Sequence, residues 1–195
     1  MRYYLILSFF LFLSVSHSQN TPKDVTLDDN TAFYEGANNS YIIAPPKGFV
    51  MITDSAASDG YSFAFIPKGE KYATASVRIG INIFKIKKEA REKFKLEDLI
   101  KDDTLAYRIH FGETIKIDEV APTVSLTGDS MRTIYYNDTT TFIPNVMMSY
   151  LDGHEEILIF ELSINENYPR FEAEKVYMEC LNNVKMLEQG SLGVG

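Results

Sequence analysis

The run Ala75-Ser76-Val77-Arg78-Ile79-Gly80-Ile81-Asn82-Ile83 decides the class of fold. Ala75, Val77, Ile79, Ile81 and Ile83 alternate with Ser76, Arg78, Gly80 and Asn82, and successive side chains of an extended chain point to opposite faces. One face of this strand is wholly aliphatic; the other meets water or a small cover. Phe84 and Ile86 reverse the parity, which predicts a bulge or twist where the strand leaves its sheet. Upstream, Tyr61, Phe63 and Phe65 alternate with small residues up to Pro67, which predicts another strand with the three aromatics on one face. Lys68-Gly69-Glu70 is the turn between the two, residues 54–60 read as a loop, and two short apolar runs, 41–44 and 49–52, flank Pro45-Pro46-Lys47-Gly48.

Downstream, Leu96, Leu99, Ile100 and Tyr107 recur at helical spacing through 95–110, with Gly112 placed to end the helix. Strand-like runs follow at 115–120, 131–136, 141–151 and 155–164, the last two joined by the hairpin signal Asp152-Gly153. Ala173, Val176, Tyr177, Cys180, Leu181, Val184 and Leu187 then form a helical stripe, with Asn167 as N-cap, Pro169 in the first turn and Gly190 as the stop. Strands in series joined by tight turns, with two helices to cover them, predict an α+β layered domain. Its core is a central, mainly antiparallel sheet of about six to seven strands flanked by helices.

Residues 1–18 do not belong to that body. Arg2, an apolar stretch from Leu5 to Val15, and Ser16 and Ser18 at a cleavage site make the pattern of a secretory signal peptide. Residues 19–38 read as a flexible arm, 39–188 as the single domain and 189–195 as a flexible tail. Export to the periplasm or the extracellular space is the expectation, in a chain whose Ile, Lys and Asn usage looks bacterial. No later stretch is apolar for the length a bilayer requires, so no transmembrane segment follows signal removal. The 27 acidic against 19 basic residues give a net charge of −8, which argues against a nucleic-acid binder. Cys180 is the single cysteine, so no intramolecular disulfide can form; it reads as a small hydrophobe on a buried helix face. Asn38 and Asn137 fit the glycosylation tripeptide, which matters only in a eukaryotic secretory pathway.

The segment Tyr41-Ile42-Ile43-Ala44-Pro45-Pro46-Lys47-Gly48-Phe49, the helix start Leu96-Glu97-Asp98-Leu99-Ile100, the late hairpin strands and the sealing helix through Leu187 resemble the PsbP and Mog1-like superfamily. The resemblance covers about residues 39–188 and is mainly structural, and Phe49 stands where that family often has Trp. It implies a central antiparallel sheet with packed helices. It also implies a non-catalytic accessory or binding role, as at a photosystem or on a small GTPase, although neither partner carries over to an exported chain and no metal ligand is fixed by a matching motif.

Reaction-bearing spacings are missing: there is no Gly-x-Ser-x-Gly, Ser-x-x-Lys, His-Glu-x-x-His, phosphate-binding loop or Cys-x-x-Cys. No catalytic, cofactor-binding or metal residue is assigned, and no cofactor is expected. His154, in Asp152-Gly153-His154-Glu155-Glu156, reads as a surface metal site or, more simply, as a polar turn; His110 suits a helix C-terminus. Asp102-Asp103 and Asp118-Glu119 are adjacent pairs that cannot face each other, so an acid/base dyad would have to be assembled from distant residues. Tyr61, Phe63, Phe65, Phe142, Tyr150 and Phe160 either line an apolar pocket or are the core, and one of Tyr135 and Tyr136 should face outward. The strongest local signal is Lys85, Lys87, Lys88, Arg91, Lys93 and Lys95, opposed only by Glu89 and Glu92. Such a patch draws an anionic partner or simply solvates a connection. The composite expectation is an exported, soluble, non-enzymatic binding or accessory protein. It would act through a surface on an envelope protein or an anionic envelope component. The alternatives are a carrier of a small apolar or anionic ligand and a hydrolase using dispersed carboxylates.

Overall fold

The computed structural model describes residues 31–113, 115–137 and 145–188. Seven strands form the central sheet: β3 (Phe49–Ile52), β4 (Phe63–Pro67), β5 (Val77–Lys85), β6 (Lys116–Val124), β7 (Ser130–Asn137), β8 (Asn145–Asp152) and β9 (Glu156–Ile164). Their order is β3-β4-β5-β9-β8-β7-β6, and each neighbouring pair is antiparallel. A second sheet of three strands, β1 (Ala32–Glu35), β2 (Asn39–Ile43) and β10 (Val184–Glu188), has β2 in the middle. The helices are α1 (Asp54–Ser58), α2 (Lys88–Arg91), α3 (Leu96–Phe111) and α4 (Arg170–Asn182). The layered α+β class read from the strand order is the one observed.

Both faces of the large sheet are covered, and parity along each strand sorts the residues between them. On one face Val77, Ile79 and Ile81 of β5 join Phe63 and Phe65 of β4 and Leu158, Phe160 and Leu162 of β9. This layer is closed by Ala173, Tyr177, Cys180 and Leu181 of α4 and by Tyr34, Tyr41, Ile43 and Val184 of the small sheet. The Tyr177 hydroxyl, which burial would otherwise leave without a partner, donates to the Phe160 carbonyl at 2.9 Å. The opposite face carries Ile134, Tyr136, Tyr150 and Ile157 under Ile100 and Tyr107 of α3. Acidic Glu97 and Asp98 occupy the first turn of α3, Arg108 and His110 the last, which suits the helix dipole, and Gly112 ends it at φ 106°.

Two-sided covering explains the reversal at Phe84 and Ile86. β5 pairs with β9 without interruption from Val77↔Ile164 to Lys85↔Glu156, so the expected bulge is not there. Instead Phe84 and Ile86 belong to the layer beneath α3, where Phe84 stacks on Phe94 with ring centroids 6.0 Å apart. The irregularities fall between Val120 and Thr123 on β6 and between Asn145 and Met147 on β8.

Four other expectations are corrected. Residues 32–35, assigned to a flexible arm, are strand β1 against β2. The terminal helix stops at Asn182, and Val184 and Leu187 of its supposed stripe lie on β10, which pairs with β2 from Val184↔Ile43 to Glu188↔Asn39. That helix begins at Arg170 with Pro169 just before it, so Asn167 is not the cap. Within 54–60, read as a loop, α1 buries Ala56. The signal segment 1–18, residues 19–30, Phe142 and the tail 189–195 lie outside the described residues.

Candidate functional site

The six basic residues of the patch sit on the connection from β5 to α3, and their environments separate them. Lys87, Lys88, Lys93 and Lys95 are exposed, and no ion pair among the described residues joins them. Lys85 is also exposed, at the end of β5, with its ammonium 5.7 Å from the centre of the Tyr34 ring. Arg91 differs. Its Nη2 donates to both Asp152 carboxylate oxygens, at 3.1 and 3.2 Å, lies 3.4 Å from His154 Nδ1, and its guanidinium stands over Phe94. Arg91, counted in the patch from sequence, therefore ties the connection to the β8–β9 turn and is not part of the free charge. The turn itself departs from the Asp-Gly hairpin expected. His154, not Gly153, takes the positive φ, 79°, and its backbone N–H donates to Asp152 Oδ1 at 2.8 Å. Among the described residues no group of three or more His, Cys, Asp or Glu side chains is arranged to hold a metal.

Gly153 is required there for a different reason. A Cβ at this position would collide with the Tyr41 hydroxyl, which donates to Glu156 Oε1 at 2.8 Å. The Ala37 N–H donates to Glu156 Oε2 at 3.4 Å, and Asn39 Nδ2 donates to the Gly153 carbonyl at 2.7 Å. Glu156, 2% exposed, thus joins the small sheet to the large one. Burial pushes its carboxyl upward, and the bonds from Tyr41 and Ala37 only partly offset this.

A second polar cluster lies on the α3 face. Glu161, on the central strand β9, sits across from Gly80 of β5 and Met148 of β8. The Tyr61 ring covers Gly80, where any Cβ would strike it, and its hydroxyl bonds to the Glu161 carboxylate. From α3, Asp103 Oδ2 accepts the Tyr150 hydroxyl at 2.8 Å, and the Tyr107 and Tyr136 rings stack at 3.8 Å alongside. Burial raises both carboxyls; the Asp103 charge raises Glu161 further, while Tyr61 and Arg78 oppose the rise. Arg78 is shared, because it also pairs with Asp59 at 3.3 Å.

Asp103 reads from the sequence as one half of an adjacent doublet; not singled out there as buried carboxylates are Glu156, quoted only within the 152–156 turn, and Glu161. Their signal was present: each interrupts the apolar run Ile157-Leu158-Ile159-Phe160 at one end, and Glu161 has the inward parity of Ile157 and Ile159. The aromatics do not converge on one pocket. Phe63, Phe65 and Phe160 are core on one face, Tyr150 is core on the other, and Tyr61 lies outside β4. Tyr136 is buried, and Tyr135, expected to face outward, instead lies half-buried against the α4 layer, where it donates to Glu174 at 2.7 Å under the Arg170 guanidinium. His110 is exposed and packs its edge on Phe111. Two open depressions, of about 280 and 560 Å³, flank Arg78; neither is lined by Asp103, Glu161 or the lysines.

The chain resembles cyanobacterial PsbP. Its structure matches the solution structure of that protein from Synechocystis with a TM-score of 0.49 and 12% sequence identity, over 82% of this chain and 94% of the other. No protein-family model matches the sequence, and no curated protein matches it significantly. Among the described residues no helix is long and apolar enough to cross a membrane.

Proposed function

We propose that the protein is an exported, non-enzymatic binding or accessory protein that meets an anionic component of the cell envelope through the lysines of the 85–95 connection. The observation that carries this reading is the contrast within one short segment. Arg91 is consumed by Asp152, whereas Lys87, Lys88, Lys93 and Lys95 are exposed on an acidic chain and no carboxylate among the described residues is paired with them. Exposed charges of one sign raise the local concentration of an opposite partner and speed encounter with it, an effect that salt screens. Catalysis would need acid and base groups that a substrate can reach. Asp103 and Glu161 lie between α3 and the sheet, and the depressions beside Arg78 are open and do not include them.

Retention on immobilised heparin, a sulfated polyanion, tests the reading. The triple variant K87E/K88E/K93E should elute without retention under low-salt conditions that hold the unaltered chain, while its unfolding midpoint stays close to that of the parent, since the sites are exposed. Elution of both chains at the same salt concentration would remove the lysine surface from consideration.

A further inference from the structure

We propose that the free edge of β3 pairs antiparallel with the β3 of a second copy of this chain, joining two seven-stranded sheets into one. β3 and β6 are the two edges of the large sheet, and each is paired on one side only. An edge strand offers unpaired N–H and C=O groups to any other extended chain, and charge, proline or a bulge blunts that template. β6 has all three: Lys116, Asp118 and Glu119 are exposed, Pro122 lies within it, and its register shifts between Val120 and Thr123. β3 has none of them. Phe49-Val50-Met51-Ile52 carries no charge and no proline, and its register with β4 runs unbroken from Phe49↔Pro67 to Ile52↔Ala64. Val50, Met51 and Ile52 are half-buried, with no strand beyond them among the described residues.

The pairing with β4 fixes which groups face outward. The Lys68 N–H donates to the Gly48 carbonyl at 2.8 Å, and alternation along the ladder makes Val50↔Ile66 and Ile52↔Ala64 the next hydrogen-bonded pairs. The N–H and C=O of Met51 therefore point away from β4, and among the described residues they have no partner. Set antiparallel about Met51, two copies exchange both bonds between their Met51 residues, and Val50 of each lies opposite Ile52 of the other. The contact uses the same edge of both chains, so it closes at two. The flanks select the direction. Lys47 precedes β3, Asp54 follows it, and both are exposed. An antiparallel setting brings each Lys47 toward the Asp54 of the other copy, whereas a parallel one would set like charges side by side. A four-residue edge makes a small contact, so the pair is weak and its population follows concentration.

Sedimentation velocity of the purified chain should shift from one chain toward two between about 10 μM and about 1 mM, and amide hydrogen exchange read by NMR locates the contact. The Val50 and Ile52 amides donate to β4 and should keep their protection at both concentrations. The Met51 amide, bonded only in the pair, should exchange about fivefold more slowly at the higher one, which is the fall in free chain for a dissociation constant of about 0.1 mM. Val50→Lys sets a charge against Ile52 of the other copy and should keep the chain single at the higher concentration, while the amide measurement needs no substitution. A chain that stays single with Met51 exchanging rapidly at both concentrations would overturn the proposal. So would dimers in which Met51 is no more protected, or protection of Met51 that is the same at both concentrations, which would give the edge to a segment of the same chain.

Discussion

Placing a methyl group at Gly153 probes the joint between the two sheets. Gly153 is not among the glycines with positive φ, so alanine would meet no backbone strain there. The obstacle is the Tyr41 hydroxyl, with Tyr41 Cζ next at 2.9 Å and the Glu156 carbonyl oxygen at 3.1 Å. Tyr41 has no exposed surface and cannot turn aside into solvent. Overpacking of this kind costs about 1–3 kcal/mol. Pushing the hydroxyl off Glu156 Oε1, now 2.8 Å away, adds about 1 kcal/mol for a buried hydrogen bond. Gly153→Ala should thus lose about 2–4 kcal/mol. Tyr41→Phe alone should lose about 1–2 kcal/mol, the cost of leaving a buried carboxyl short of a donor. In the Tyr41→Phe background the nearest obstructing atom is gone and only Cζ at 2.9 Å and the Glu156 carbonyl crowd the methyl, so Gly153→Ala should cost less there than in the parent, with a coupling of about 1 kcal/mol. Urea unfolding of the four chains supplies the cycle, provided the slopes agree. Strict additivity, or an alanine tolerated without loss, would refute the assignment of Gly153 to a steric role.

Three further outcomes are expected. Burial pushes the Cys180 thiol well up, so thiol reagents should label it only on unfolding; Cys180→Ser should cost about 1–3 kcal/mol through an unpaired hydroxyl, and rapid labelling of the native chain at neutral pH would contradict its place on the buried face of α4. Leu181→Ala, in the same fully buried layer, should lose about 2–5 kcal/mol in denaturant titration, whereas a loss well below that would mean that α4 does not seal the sheet. Gly80→Ala should drive the Tyr61 ring from its seat at about 1–3 kcal/mol and alter the near-ultraviolet tyrosine signal; an unchanged spectrum would deny the contact.

What sequence could reveal was set by local period. Ala75 to Ile83 reads as a strand because one of its faces is aliphatic throughout, and 96–111 as a helix because its apolar spacing and Gly112 agree. Val184 and Leu187 were assigned to a helix because their spacing from Leu181 is helical; their strand state is decided by pairing with Ile43 and Ser40, remote in the chain. Phe84 and Ile86 looked like a break only while one face of β5 was thought to be covered. The lysine connection is visible as a charge run, but the loss of Arg91 to Asp152 is not, since that partner ends β8, with α3, β6 and β7 between them in the chain. The partners of Asp103 and Glu161, the Tyr150 and Tyr61 hydroxyls, are set only by tertiary stacking, although a glutamate at inward parity in an apolar strand is itself a sign of something unusual.

The surface reading is tested most directly by asking where the partner touches. A photocrosslinking residue placed in turn at Lys88, Lys93 and Phe171, the last a 74% exposed aromatic at the start of α4, should give adducts in the native envelope from the two lysine positions, suppressed by soluble heparin. Adducts from position 171 alone, indifferent to heparin, would contradict the account.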